Sequence, residues 1–153
     1  MPRTITVTAI YDGDPDVIFA QAIDLTEVQR AMQGLARYEG LPDGPICQGE
    51  TYSVDITLFG VLKTRGHVMH VETLAPDHRL IQSREHNPQV RRWDHTLTVG
   101  PTPHGTLWTD RVMIDAGWQT ALTARFAAYV YTRRHRFRQG RDITCTIRKG
   151  LPE

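Results

Sequence analysis

Cysteine is scarce: Cys47 and Cys145 are the only two in 153 residues. They lack CxxC spacing and a histidine-rich neighbourhood, which excludes a disulfide framework and a structural zinc site and makes free thiols the expectation. Lysine is nearly absent, Lys63 and Lys149 being the two exceptions among 18 basic residues, the rest of which are arginine. An excess of either charge is missing as well: 18 Lys+Arg face 17 Asp+Glu, for a formal net charge of +1. That balance argues against a globally basic nucleic-acid binder. No apolar run approaches the roughly 20 residues of a membrane span, and MPRTITVTAI has no long apolar core of a secretory signal. The expectation is a cytoplasmic protein without an integral membrane segment.

What is present fits one ordinary folded domain: 40% of residues are hydrophobic and 23% charged, enough to bury a core and stay dispersed. Residues 3–11 alternate, with Ile5, Val7, Ala9 and Tyr11 on one side, the period of a half-buried strand. Asp14-Pro15 then offers an N-cap followed by proline at the first helical position. Helical spacing continues to about Ala36, split near Asp24, where a second cap is available, so two short helices are expected. EGLPDGPICQG at 39–49 reads as loop. Five strands follow, at 51–60, 65–74, 79–86, 89–99 and 106–115, with connections short enough for an antiparallel meander. A long helix spans about 117–139, ended by Gly140, and 141–153 is left as a tail.

That order gives six strands, or seven if residues 47–50 add a short one, and predicts an α+β domain over 1–140: a curved antiparallel sheet wrapped around the closing helix. DPDVIFAQAIDL after the first strand, QGETYSVDITLFG, HVMHVETLAPDHRLIQSRE, and RRWDHTLTV followed by LWTDRVMIDAG carry a resemblance to the SRPBCC or START-like superfamily. This is the helix-grip fold of birch-pollen allergen proteins and polyketide cyclases, and here the resemblance covers nearly the whole chain. It implies a deep, mostly apolar cavity between the concave sheet and the last helix, and it leaves open whether chemistry occurs there.

Period-two alternation selects the inward residues. They are Tyr52, Val54, Ile56 and Leu58; His67, Met69, Val71 and Thr73; Ile81, Ser83 and Glu85; Arg91, Trp93, His95, Leu97 and Val99; and Trp108, Asp110, Val112 and Ile114. A hairpin centred on residues 101–104 sets His95 opposite Asp110, and the preceding turn sets Glu85 opposite Arg91 and Met69. The first pair reads as a general base held by a carboxylate, or as a register-fixing contact without chemistry. The second reads as a clamp for a carboxylate or hydroxyl head group, or as an ion pair at the cavity mouth.

Trp93, Trp108, Trp118, Leu122, Phe126 and Tyr129 read as cavity walls or as core packing. The histidine spacing does not suit a metal site, and no cofactor is expected. RRHRFR at 133–138 is either a solvated helix end complementing the helix dipole or a face for an anionic partner. The function expected first is binding of a small hydrophobic or amphipathic molecule, and a homodimer is compatible with the pattern. A cyclase or dehydratase using His95 and Asp110, with Arg91 or Tyr52 steadying an oxyanion, comes second. An adaptor working through the arginine-rich helix end comes third.

Overall fold

Alternation in the first segment becomes burial in the computed structural model, which describes residues 1–150. Ile5, Val7, Ala9 and Tyr11 point into the core from strand β1 (Arg3–Tyr11). Asp14 caps helix α1 (Pro15–Ala22), its carboxylate accepting the Asp16 N–H at 2.8 Å. Asp24 does the same for α2 (Leu25–Ala31), accepting the Thr26 N–H at 2.9 Å. The helical region stops earlier than its spacing suggested. Gly34, at φ +83, takes the left-handed conformation that closes helices, and the chain turns into a short strand, β2 (Ala36–Glu39). Leu35 is buried at helical spacing from Met32 because both pack on Val130, not because the helix continues.

The meander follows as β3 (Thr51–Leu58), β4 (Leu62–Ala75), β5 (Leu80–His86), β6 (Arg92–Thr102) and β7 (Gly105–Asp115), then helix α3 (Thr120–Phe137) and strand β8 (Arg141–Lys149). All strands join one antiparallel sheet in the order β2-β3-β4-β5-β6-β7-β1-β8. The fold class is therefore as expected, while the described residues hold eight strands in place of six or seven. The two additions are the edge strands, and residues 47–50 form a turn, not a strand.

The expected tail is part of the sheet as far as Lys149, pairing with β1 from Arg3↔Lys149 to Ile10↔Arg141; its residues 151–153 lie outside the described ones. Glycine suits the close approach at the reversal into β8. A Cβ at Gly140 would sit 3.0 Å from the Ala9 Cβ and from the Tyr11 hydroxyl. Among the described residues no helix is long and apolar enough to cross a membrane.

The meander keeps the expected inward parity with two corrections. Strands β6 and β7 pair as Leu97↔Asp110 and His95↔Val112, two residues from the expected register, because the turn is the tighter Pro103-His104. A shift of two preserves the face, so His95 and Asp110 remain inward as diagonal neighbours. A bulge after Val71 moves Leu74, not Thr73, to the inner face opposite Ile81.

Helix α3 lies close to one half of the sheet. Ala124, Ala127 and Ala128 let its backbone approach β1 and β7, where they pack with Ile5, Val7, Val112 and Ile114. A buried polar chain fastens that contact. The Tyr11 hydroxyl is 2.6 Å from His135 Nδ1, His135 Nε2 is 2.9 Å from Asp110 Oδ2, and Asp110 Oδ1 is 2.7 Å from His95 Nε2. Two strands of the meander, β1 and α3 are thereby tied at one carboxylate.

A carboxylate only accepts, so both imidazoles present Nε2–H to Asp110, and Tyr11 donates to His135 Nδ1. Burial pushes the Tyr11 hydroxyl well above its ordinary range, which keeps that donor protonated. Burial also works to raise the Asp110 pKa, but hydrogen bonds and charge from His135 and His95 outweigh it and hold the carboxyl well below the usual range.

A pKa depressed in the folded state contributes stability that is present above the ordinary aspartate range and lost as pH falls through it. Asp110→Asn, whose amide NH2 would confront an Nε2–H, is expected to cost about 3 kcal/mol in urea unfolding at neutral pH. The wild-type unfolding midpoint should fall more steeply than that of Asp110→Asn between about pH 5 and about pH 3; parallel pH profiles would show that Asp110 is not the fastener.

Candidate functional site

Away from β1 and β7 the helix stands off the sheet and leaves a cavity of ≈ 310 Å³. Leu25 and Val28 of α2 and Met32 just after it close one side, Val54, Ile56, Met69, Val71 and Leu97 form the sheet wall, and Thr123, Phe126, Val130, Tyr131 and Arg134 form the helix wall. Tyr38 of β2 reaches it from the edge. Apolar side chains dominate, as in pockets that hold small organic molecules.

Three polar stations interrupt the apolar lining. The first is Glu85, whose Oε2 lies 2.8 Å from His67 Nε2 and whose Oε1 accepts the Ser83 hydroxyl at 2.7 Å. Asn87 Nδ2 meets His67 Nδ1 at 3.1 Å and completes the set. Burial favours protonation of Glu85, but the hydrogen bond and charge of His67 prevail and its pKa is lowered. This carboxylate is therefore both ionised and satisfied.

The second station is His95, whose Nε2 is committed to Asp110 while Nδ1 has no partner among the described residues. Its ring lies 5.2 Å from that of Tyr131, and burial raises the Tyr131 hydroxyl far above its ordinary range. An imidazole held by a carboxylate in the lining of an apolar cavity has the arrangement of a general base. The third station is the guanidinium of Arg134, which lies 5.0 Å from the Tyr131 ring centre. Among the described residues no three His, Cys, Asp or Glu side chains gather as metal ligands would.

Of the residues singled out in the sequence, Val54, Ile56, Met69, Val71, Ser83, Glu85, Trp93, His95 and Phe126 line this cavity, and Asp110 supports it from behind. Others do not. Tyr52 is a core residue packed with Leu25, Ile46 and Val54, and its hydroxyl donates to Glu50. Arg91 falls in the loop before β6 and pairs with Asp115 at 3.0 Å on the surface, because the connection after β5 is longer than a tight turn and Glu85 faces Trp93. The Glu85–Arg91 clamp therefore does not form.

Trp108 and Val112 are core residues, the former under Arg138 and edge-on to His135, the latter beneath the α3 alanines. Trp118 is 90% exposed, Leu122 71% and Tyr129 51%. Their helical spacing is real but marks the outer face. The stripe facing the sheet is Ala124, Ala127, Tyr131 and His135, whose 3.6-residue period was legible beneath the larger apolar residues.

Sequence reasoning missed Tyr38, Tyr131, Arg134 and His135. The last two were hidden in the basic RRHRFR run, most of which turns toward the protein: His135 is fully buried, Arg138 lies over Trp108 at 4.7 Å, and Arg133 donates to the Gln33 carbonyl at 3.2 Å.

No protein-family model matches the sequence, and no curated protein matches it. Solved structures do resemble it. Protein Ms6760 from Mycobacterium smegmatis aligns with TM-score 0.68 at 12% identity over 88% of this chain and 86% of that one. Protein CV1439 from Chromobacterium violaceum aligns with TM-score 0.64 at 14% identity over 87% and 92%. Ara h 8.0201 aligns with TM-score 0.62 at 7% identity over 91% and 99%. At such identities the likeness concerns the fold alone, and that fold is the Bet v 1-like helix grip.

Proposed function

We propose that this protein binds a small hydrophobic or amphipathic molecule in the cavity between the concave sheet and helix α3. The observation that carries the reading is the cavity itself: ≈ 310 Å³ with mostly apolar walls and polar groups at a few fixed points. A volume at the low end of ligand pockets suits a compact molecule of one or two rings, or a single medium-length chain. The likeness to Ara h 8.0201 supports the reading only at the level of architecture.

Filling the space tests it. Ile56→Trp places an indole in the cavity from a half-buried wall position at an expected cost of about 1–3 kcal/mol. Wild type should enhance the fluorescence of anilinonaphthalene sulfonate with a saturable isotherm, and Ile56→Trp should lose most of that binding while its circular dichroism is unchanged. No saturable binding by wild type, or equal binding by the filled variant, overturns the proposal.

The free Nδ1 of His95 favours a second reading, in which the same cavity carries out cyclase- or dehydratase-type chemistry on a polyketide-like substrate. His95 would take a proton from carbon next to a carbonyl, with Asp110 stabilising the imidazolium. With Arg91 and Tyr52 elsewhere, the Tyr131 hydroxyl, whose ring lies 5.2 Å from that of His95, is the donor assigned to the developing enolate. Proton–deuterium exchange at the methylene of a bound β-diketone, followed by NMR, should be accelerated by wild type and fall to background in His95→Gln, with a melting temperature within a few degrees. Unchanged exchange in His95→Gln leaves binding as the whole function.

A further inference from the structure

The charged groups of the cavity are unequally provided for. Glu85 has His67 and Ser83, and Asp110 has two imidazoles. Arg134 is the arginine that lines the cavity, and no acidic group lies within ion-pairing distance of it among the described residues. Its Nε–H is spent on a weak acceptor, the Met32 sulfur at 3.2 Å, and one face of the guanidinium is covered by Tyr131. The remaining N–H donors are directed by that stacking, and a planar guanidinium held on an aromatic ring is preorganised for bidentate contact with a carboxylate.

Burial works against the charge of Arg134, but Tyr38, Tyr131 and the more distant Asp110 offset it, so the group stays protonated. Arg138, one turn on, lies over the Trp108 ring and outside the cavity lining, so Arg134 is the arginine that the cavity presents. The two ends of the cavity therefore differ. On the β4–β5–β6 side sits a paired carboxylate, Glu85, whereas on the side bounded by α2 and β2 sits an unpaired guanidinium.

We infer that the ligand carries a carboxylate, that Arg134 holds this head group between Met32, Tyr38 and Tyr131, and that the apolar body extends toward Val71 and Trp93. This rests on the cavity-binding reading above and specifies it. Isothermal titration of the full chain with decanoate and with decanol separates the two. Wild type should bind decanoate about tenfold or more tighter than decanol. Arg134→Gln should bring the two affinities together chiefly by weakening decanoate, and Arg134→Lys, which keeps the charge without the planar fork, should retain part of the preference.

Equal affinities in wild type, or a preference for decanoate that survives Arg134→Gln, overturns the head-group assignment while leaving the binding cavity in place. Failure of wild type to bind either probe overturns both readings. Should Arg134→Gln not fold, decylamine binding to wild type decides: affinity equal to or above that of decanoate overturns the assignment, and affinity about tenfold or more lower supports it.

Discussion

A single carboxylate holds this molecule in its working shape. Asp110 is almost fully buried, a position no ionised group occupies without compensation, and its two oxygens are used on different errands. One takes His135 from the closing helix and the other takes His95 from the neighbouring strand. Through His135 the contact reaches Tyr11 on β1, so the helix is pinned where the alanine stripe meets the sheet. The same anion orients the imidazole that borders the cavity. Scaffold and cavity lining share an atom group here, and a change that loosened the helix would also release His95 from its tautomer.

Seen this way, the interior is wedge-shaped for a simple reason. At β1 and β7 the helix presents Ala124, Ala127 and Ala128, and the backbones approach; toward β3 to β5 it presents Phe126, Val130 and Arg134, and a gap remains. Side-chain size along one helix thus decides where the protein is solid and where it is hollow.

Much of this was legible from the order of residues. The caps Asp14 and Asp24, the alternation of β1 and the meander punctuation are local signals whose physics acts within a few positions, and the inward placement of His95, Asp110 and Glu85 followed from parity alone. What escaped were features decided by contacts distant in sequence. Strand β8 has no fully buried residue and exists because it pairs with β1. Strand β2 is four residues long and follows a residue that keeps helical spacing. The face of α3 was misassigned because large apolar residues at 118, 122 and 129 outweighed alanines in a pattern judged by hydrophobicity, whereas close approach to a sheet selects for small size. Partner choice in the cavity shifted by two residues at both hairpins, which spared the faces and changed who meets whom: Arg91 gave way to His67 as the companion of Glu85.

The alanines of α3 have a consequence of their own. Because Ala124, Ala127 and Ala128 meet β1 and β7 outside the cavity lining, enlarging one of them would not plug the hollow. It would act as a shim, prising the helix away at its anchored edge and widening the space beneath, so that the size of the cavity is governed by residues outside its lining.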